Sequence, residues 1–224
     1  MTKVHFLIVS SKLRNAIHDL RYLLDRGYPR DSAVTFVANH YRLALEQRHL
    51  LARCVFSRRE IAVNKSKVIS NKKVKGKHLG VDGYNTLITL ESILTDRQVV
   101  RCDDGHIRDL RAIFGKYKPS QATDRALAEI LEALRRARPR DVVVLFDKQV
   151  SRSGELAGAT RRGLKKFGLK GNSQATSGVD FKLRAFDTVA SSDRAIIQRA
   201  KAIWDIPSEL LKRKKANIID LKMT

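Results

Sequence analysis

"HLGVDGYNTL" runs from His78 to Leu87 and sets a pattern that recurs along the chain. A short apolar rise ends on a carboxylate, Asp82, and the permissive Gly83 follows at once. The pattern returns twice. In "DVVVLFDKQ" (141–149) five consecutive apolar residues end on Asp147, and in "DTVASSDRA" (187–195) a shorter run leads to Asp193. Continuous apolar runs of this length suit strands covered on both faces, as in a parallel sheet. Between them lie helical patterns. "TDRALAEILEALRRAR" repeats Ala126, Leu127, Ile130, Leu131 and Leu134 at helical spacing, with Pro139 just past its end. "NTLITLESIL" and "RAIIQRAKAIW" also read as helices, "QVVRCDD" as extended, "GHIRDLRAIFGKY" as a helix and "ANIIDL" as a last strand. Strands separated by helices predict an α/β domain over residues 78–224 with a doubly wound, mostly parallel sheet.

Residues 1–64 read as a small all-helical domain. Ile17, Leu20 and Leu24 form one apolar stripe, closed by Gly27. Val34, Val37, Tyr41 and Leu51 form another, behind Pro29 and the capping candidate Asp31. Residues 65–77 hold Lys65, Lys67, Lys72, Lys73, Lys75 and Lys77 with few apolar neighbours. This is the linker candidate. Either a solvated, self-repelling linker or a strap for a polyanion has this composition.

Charge is the loudest global signal. The chain has 224 residues, 45 Lys and Arg against 23 Asp and Glu, a net +22 and a pI near 10.4. Residues 1–77 carry 17 basic and 5 acidic side chains, so the excess is densest there. Such an excess attracts polyanions, and nucleic acid is the expected partner. No apolar run approaches the ~20 residues of a membrane helix, and neither a membrane partner nor a secretory leader is expected. Cys54 and Cys102, without a CxxC spacing, support neither a zinc site nor a disulfide framework and suit a reducing cytoplasm. His18, His40 and His49 lack the spacing of metal ligands.

In an open parallel α/β sheet, ligands sit beyond the carboxyl ends of the strands, near the point where strand order reverses. Asp82, Asp147 and Asp193 each stand just past such an end. If their strands are neighbours, three like charges converge and repel unless a cation lies between them. Oxygen donors without Cys or His select a hard ion, Mg²⁺ or Mn²⁺. Asn85 adds an amide oxygen near Asp82, and Asp103, Asp104, Asp180 and Asp187 are further acidic candidates. The alternative is that each Asp only caps the next helix, a reading that suits Asp193 and Asp104 well.

The loop "KQVSRSGELAG" after Asp147 offers Ser151, Arg152 and Ser153, and hydroxyls and backbone N–H groups there suit a phosphate as well as plain solvent. It is not a Walker A loop, no GxGxxG follows the first strand, and no Ser, His and Asp arrangement supports acyl transfer.

Taken together, "VDGYN" (81–85), "VVVLFD" (142–147) and "VASSDRAII" (189–197) resemble the NYN branch of PIN-like nuclease domains. The resemblance spans roughly residues 78–221. With its helical front the chain is also similar to the uncharacterised prokaryotic family called domain of unknown function 434, in which a PIN-like domain follows the helices. The resemblance implies a PIN-like fold and divalent-metal-dependent cleavage of RNA phosphodiester bonds, with Mg²⁺ or Mn²⁺ as cofactor. By position Asp82, Asp147 and Asp193 carry over as metal ligands, Asn85 as a motif neighbour, and Asp180 as the helical acid that orients water. Lys148, Arg152 and Arg194 would neutralise neighbouring phosphates. Residues 92–117 have no NYN counterpart. A rival class is a non-catalytic RNA- or ribosome-associated protein, because a fold does not fix a function.

Overall fold

The computed structural model describes residues 9–110 and 117–221. The chain opens with helices α1 (Ser11–Asp25), α2 (Arg30–His40), α3 (Leu45–Cys54) and α4 (Arg58–Ser66). Each start and stop has a local cause. Ser10 caps α1 by accepting from the Leu13 N–H, and α1 buries Leu13, Ala16, Ile17, Leu20 and Leu24, the face that three- and four-residue steps bring together. The long periodic stretch from Arg30 divides where Arg42 turns left-handed (φ 43°). Ser57 and Glu60 open α4 with a reciprocal capping box. Pro29, rather than the candidate Asp31, occupies the position before α2, and it offers no side-chain cap.

The lysine-rich segment is paired to the body. The Ile69 N–H donates to the Ile203 carbonyl at 2.8 Å, and the Ile203 N–H to the Lys67 carbonyl at 2.8 Å. A short helix α5 (Asn71–Val74) then buries Val74.

From there β1 (His78–Asp82), α6 (Gly83–Leu94), β2 (Val99–Arg101), β3 (Ile107–Asp109), α7 (Gln121–Ala137), β4 (Asp141–Asp147), α8 (Ser153–Lys166) and β5 (Gly171–Thr176) follow. The chain ends with α9 (Val179–Lys182), a 3-10 turn (Leu183–Ala185), β6 (Thr188–Ala190), α10 (Arg194–Arg199), α11 (Ile206–Leu211) and β7 (Ile218–Asp220). Four strands form one sheet in the order β5-β4-β1-β6, every pair parallel. This confirms an α/β region behind a helical front.

Alternation along the strands sends side chains to both faces. Val142, Val144 and Phe146 join Leu79 and Val81 in a core under α6, α7 and α8. Leu145 and Val189 point the other way, into a core with Val179, Leu183, Phe186, Ile196 and Ile197. Gly80 also faces that second core. A Cβ there would lie 2.7 Å from the Phe186 ring and 2.8 Å from Leu183, so the strand needs a residue without a side chain.

The remaining strands form a second sheet, ordered β3-β2-β7. Here two sequence expectations are corrected. "GHIRDL" is not the start of a helix: Ile107–Asp109 is a strand antiparallel to β2, and the rest of that expected helix, residues 111–116, lies outside the described residues. Asp103, Asp104 and Gly105 form the three-residue loop of a hairpin: the Gly105 N–H donates to the Cys102 carbonyl at 2.8 Å, and Gly105 is left-handed at φ 87°. The expected last strand exists, but it pairs with β2 rather than with the four-stranded sheet. Val100, Cys102, Ile219 and Leu221 of this small sheet share a core with α1–α3, so the front helices close over it. No helix among the described residues is long and apolar enough to cross a membrane.

Candidate functional site

The strand register levels the ends of the four-stranded sheet. Asp82 pairs with Leu145, Val81 with Ala190, and Asp147 with Thr176. Because every pair is parallel, the residues that follow these strands emerge at one edge. The chain leaves β1 for β4 and β5 on one side, then crosses back to β6 on the other. Strand order therefore reverses at β1, the place where open α/β sheets bind ligands.

Hydrogen bonds join the two loops at this reversal. Ser191 Oγ donates to Asp82 Oδ2 at 2.9 Å, and the Asn85 N–H to Asp82 Oδ1 at 3.3 Å. The Ser192 N–H and Oγ donate to Asn85 Oδ1 at 2.8 and 2.9 Å. The amide oxygen of Asn85 is thus committed to Ser192. The Asp193 N–H donates to Ser191 Oγ at 3.1 Å, while Asp193 Oδ1 accepts from the Ala195 and Ile196 N–H groups at 2.8 and 3.2 Å and so caps α10. Asp82 caps α6 in the same way. Asp147 Oδ1 accepts from the Gln149 N–H at 2.9 Å.

Electrostatics tie the four carboxylates together. Asp82 is half-buried as a residue, but protein crowds its carboxyl, and this burial pushes its pKa up to about 7. The Ser191 and Asn85 hydrogen bonds pull it down, and the charges of Asp193 and Asp180 add to the rise. Asp180 is exposed, yet its carboxyl is also raised, by partial loss of solvent and then by Asp193 and Asp147, with Arg199 and Arg184 opposing. Burial and the Asp147 charge push the Tyr84 hydroxyl up to about 12. That hydroxyl has no hydrogen-bond partner, and its ring meets Phe146 edge-on at 5.1 Å.

Gly83 serves close packing here rather than an unusual turn. It is not left-handed, but a Cβ would lie 2.6 Å from the Phe146 ring and 2.8 Å from the Leu145 carbonyl oxygen.

The cation groups divide. Lys148 is exposed, and its N–H donates to the Thr176 carbonyl at 3.0 Å. Arg152, left-handed at φ 63°, forks onto Glu155 through Nε at 3.0 Å and Nη2 at 2.7 Å. Ser151 is exposed at that turn, and Ser153 is buried at the start of α8. Arg194 lies 4.0 Å from Glu60 of α4.

The other acidic candidates lie in different settings. The Asp187 carboxylate accepts from the His78 N–H at 3.2 Å. Asp103 takes a fork from Arg21 at 2.6 and 3.0 Å. Asp104, expected as a helix cap, instead takes a buried fork from Arg108 at 2.9 and 2.8 Å and a bond from Asn64 Nδ2 at 3.0 Å. Burial works to raise Asp104, but the Arg108 guanidinium overcomes this and holds the carboxyl far below the usual carboxylate range. Sequence reasoning passed over Arg108, although its Nε donates to the Ser192 carbonyl at 2.6 Å, directly behind the site.

A hard divalent ion is the group that the resemblance implies. The donors at the sheet edge, all oxygen, suit such an ion, and a cation would favour the charged form of the Asp82 carboxyl, which burial first and the Asp193 and Asp180 charges second push up. Among the described residues, no three His, Cys, Asp or Glu side chains form a ready ligand cluster. The chemistry of the donors therefore fits, while their positions do not form a closed coordination sphere.

The chain is similar to known sequences along nearly its whole length. The family described as "Protein of unknown function (DUF434)" matches residues 12–67, the front helices. The family described as "Domain of unknown function (DUF5616)" matches residues 71–209, which include the whole sheet edge. Neither description names a nuclease. "Uncharacterized protein MJ0935" of Methanocaldococcus jannaschii is 37% identical over 201 residues, 89% of this chain and 96% of that protein. No solved structure matches the chain. With more than half of its length matched by the second of these families, the chain belongs to the DUF5616 family, and a DUF434 unit precedes the matched domain.

Proposed function

We propose that this protein binds RNA and cleaves its phosphodiester bonds in a Mg²⁺- or Mn²⁺-dependent reaction, using a PIN- or NYN-like site at the reversal of the four-stranded sheet. One observation carries the reading: the parallel register ends β1 and β4 together at Asp82 and Asp147, and Ser191 hydrogen-bonds there to both the Asp82 carboxylate and the Asp193 N–H, in a chain with net +22. A strongly basic protein with a group of acids at one sheet edge suits a cation set against a polyanion.

In this reading Asp82, Asp147 and Asp193 would hold the ion, which supplies charge neutralisation at phosphorus and a more acidic water when bound. Ser191, hydrogen-bonded to both Asp82 and the Asp193 N–H, fixes the spacing of two ligands. Asn85, held by Ser192, sets the start of α6. Asp180, exposed and raised, would orient the attacking water and take its proton. Lys148 and Arg194 would meet the flanking phosphates. Arg152 would have to leave Glu155 to join them. The RNA class, ribosomal or transfer RNA included, is open to direct test.

A second reading has its own support. Asp82 and Asp193 both cap helices, a sufficient structural role. A non-catalytic RNA- or ribosome-associated protein would keep them for that alone.

Calorimetric titration with Mn²⁺ tests the choice. The nuclease reading expects binding in the wild type that weakens at least tenfold in Asp82→Asn and in Asp193→Asn. Equal Mn²⁺ affinity in all three proteins would remove the proposed ligand set.

A further inference from the structure

Phe181 is the most exposed large apolar side chain among the described residues, at 71%. It directly follows Asp180, whose carboxyl acts on Asp82, Asp147 and Asp193. The segment that carries it is anchored from below. Val179 and Leu183 are buried in the second core, and the Lys182 ammonium turns back onto the Thr176 hydroxyl at the end of β5. Phe181 is left outside. The Arg184 guanidinium stands 5.3 Å from the centre of its ring, a cation–π contact, and also acts on the Asp180 charge. The lip of the acid cluster thus carries an exposed phenyl ring with a guanidinium over one of its faces, which leaves the other face for a ligand.

We propose that Phe181, steadied by Arg184, is a stacking platform for an unpaired base of single-stranded RNA. The proposal rests on reading the sheet edge as the RNA site, and it adds the substrate class: single strands rather than duplex. The chemistry is direct. An exposed aromatic ring stacks on any base whose face is free, and a neighbouring guanidinium meets the adjoining phosphate. In a duplex both faces of each base are already stacked, so the ring has nothing to receive. The surroundings favour nucleic acid over an apolar protein partner, because Lys182 and Arg184 flank the ring in sequence, and Arg199, at the end of α10, acts with Arg184 on the Asp180 charge next to it.

The experiment uses the full chain in EDTA, so that binding is read without cleavage. The probes are a fluorescein-labelled 12-nucleotide single strand, a blunt-ended two-strand duplex of matched length, and a single strand carrying one 2-aminopurine. Phe181→Ala should weaken single-strand binding roughly tenfold, in line with measured base–aromatic stacking. It should change duplex binding by less than about twofold and abolish the 2-aminopurine quenching that the wild type shows. Phe181→Trp should restore both affinity and quenching. Equal loss on single strand and duplex, or no loss on either, would overturn the platform, and the second result would leave the phenyl face to a protein partner. Wild type that binds RNA without regard to Phe181 loses only this proposal. Wild type that binds neither RNA loses the RNA reading as well.

Discussion

Arg108 Nε donates to the Ser192 carbonyl at 2.6 Å, and through this bond the small sheet and the front helices hold the candidate site from behind. The same guanidinium forks onto Asp104, which also accepts from Asn64 of α4, and lies 5.0 Å from the centre of the Phe56 ring. On its other side Ser192 holds Asn85, and Ser191 holds Asp82. Front helices, small sheet and sheet edge are therefore one connected polar path.

Removing Arg108 should be severe. Arg108→Met leaves the Asp104 carboxylate buried without its main partner, and breaking one side of a buried pair costs about 3–5 kcal/mol. Urea unfolding of Arg108→Met beside wild type measures the loss. A difference under about 1 kcal/mol would show that water or another group replaces the guanidinium.

Gly80 in β1 and Gly83 at the start of α6 should resist even alanine. A Cβ at Gly83 would meet the Phe146 ring at 2.6 Å and the Leu145 carbonyl oxygen at 2.8 Å. Backbone cannot step aside, so overpacking of roughly 1–3 kcal/mol is expected for Gly83→Ala. At Gly80 only the side chains of Phe186 and Leu183 stand in the way, and the cost should be smaller. Thermal unfolding should rank the variants wild type, Gly80→Ala, Gly83→Ala in falling stability. The reverse order for the two glycines would contradict the close approach behind Asp82.

Acidity should stabilise the metal-free fold through Asp82. Its folded carboxyl, pushed up to about 7, lies above the ~3.9 of an unfolded aspartate. Between those values the fold binds more protons than the unfolded chain, so this contribution is lost as pH rises from about 4 to about 7. Asp82→Asn has no such charge and keeps an oxygen for Ser191. In EDTA the variant should match wild type near pH 4 and exceed it by roughly 1–2 kcal/mol at pH 8, allowing for screening by solvent. Parallel stability profiles across that range would show that the carboxyl is not crowded as described.

RNA affinity should fall steeply with salt. Each phosphate contact adds roughly −0.7 to the log–log slope for a single strand. With the positive charge densest in residues 1–77, charge-neutralising changes at Lys72, Lys73 and Lys75 should flatten that slope. A slope near zero in wild type would reject the electrostatic account of binding.

Much of this architecture was legible in the residues. The runs ending at Asp82 and Asp147 are strands because short apolar stretches between helices, residues 79–81 and 142–146, have few other uses, and they do lie side by side. What escaped was weakly written. The edge strand Gly171–Thr176 is mostly polar and exposed, so its periodicity is faint. "GHIRDL" places Ile107 and Leu110 three apart, a spacing that suits a helix, while the Asp-Gly hairpin signal before it was the stronger cue. Arg108 was passed over because a buried arginine looks like any surface arginine until Asp104 and the Ser192 carbonyl are found around it. The lysine-rich stretch was read from composition, and composition says nothing of the backbone pairing with Ile203.

If the acids at the sheet reversal cut RNA, a paired measurement on Asp82→Asn separates the chemistry from the binding. Wild type and variant are assayed for cleavage of a mixed RNA pool with Mn²⁺ or Mg²⁺, and for RNA binding in EDTA. The account expects metal-dependent cleavage by wild type, its loss by at least a hundredfold in the variant, and binding that is unchanged or tighter because a negative charge has left a surface that meets phosphates. Wild type that binds RNA tightly and cuts none of it with either metal, or a variant that cuts as fast as wild type, would contradict it.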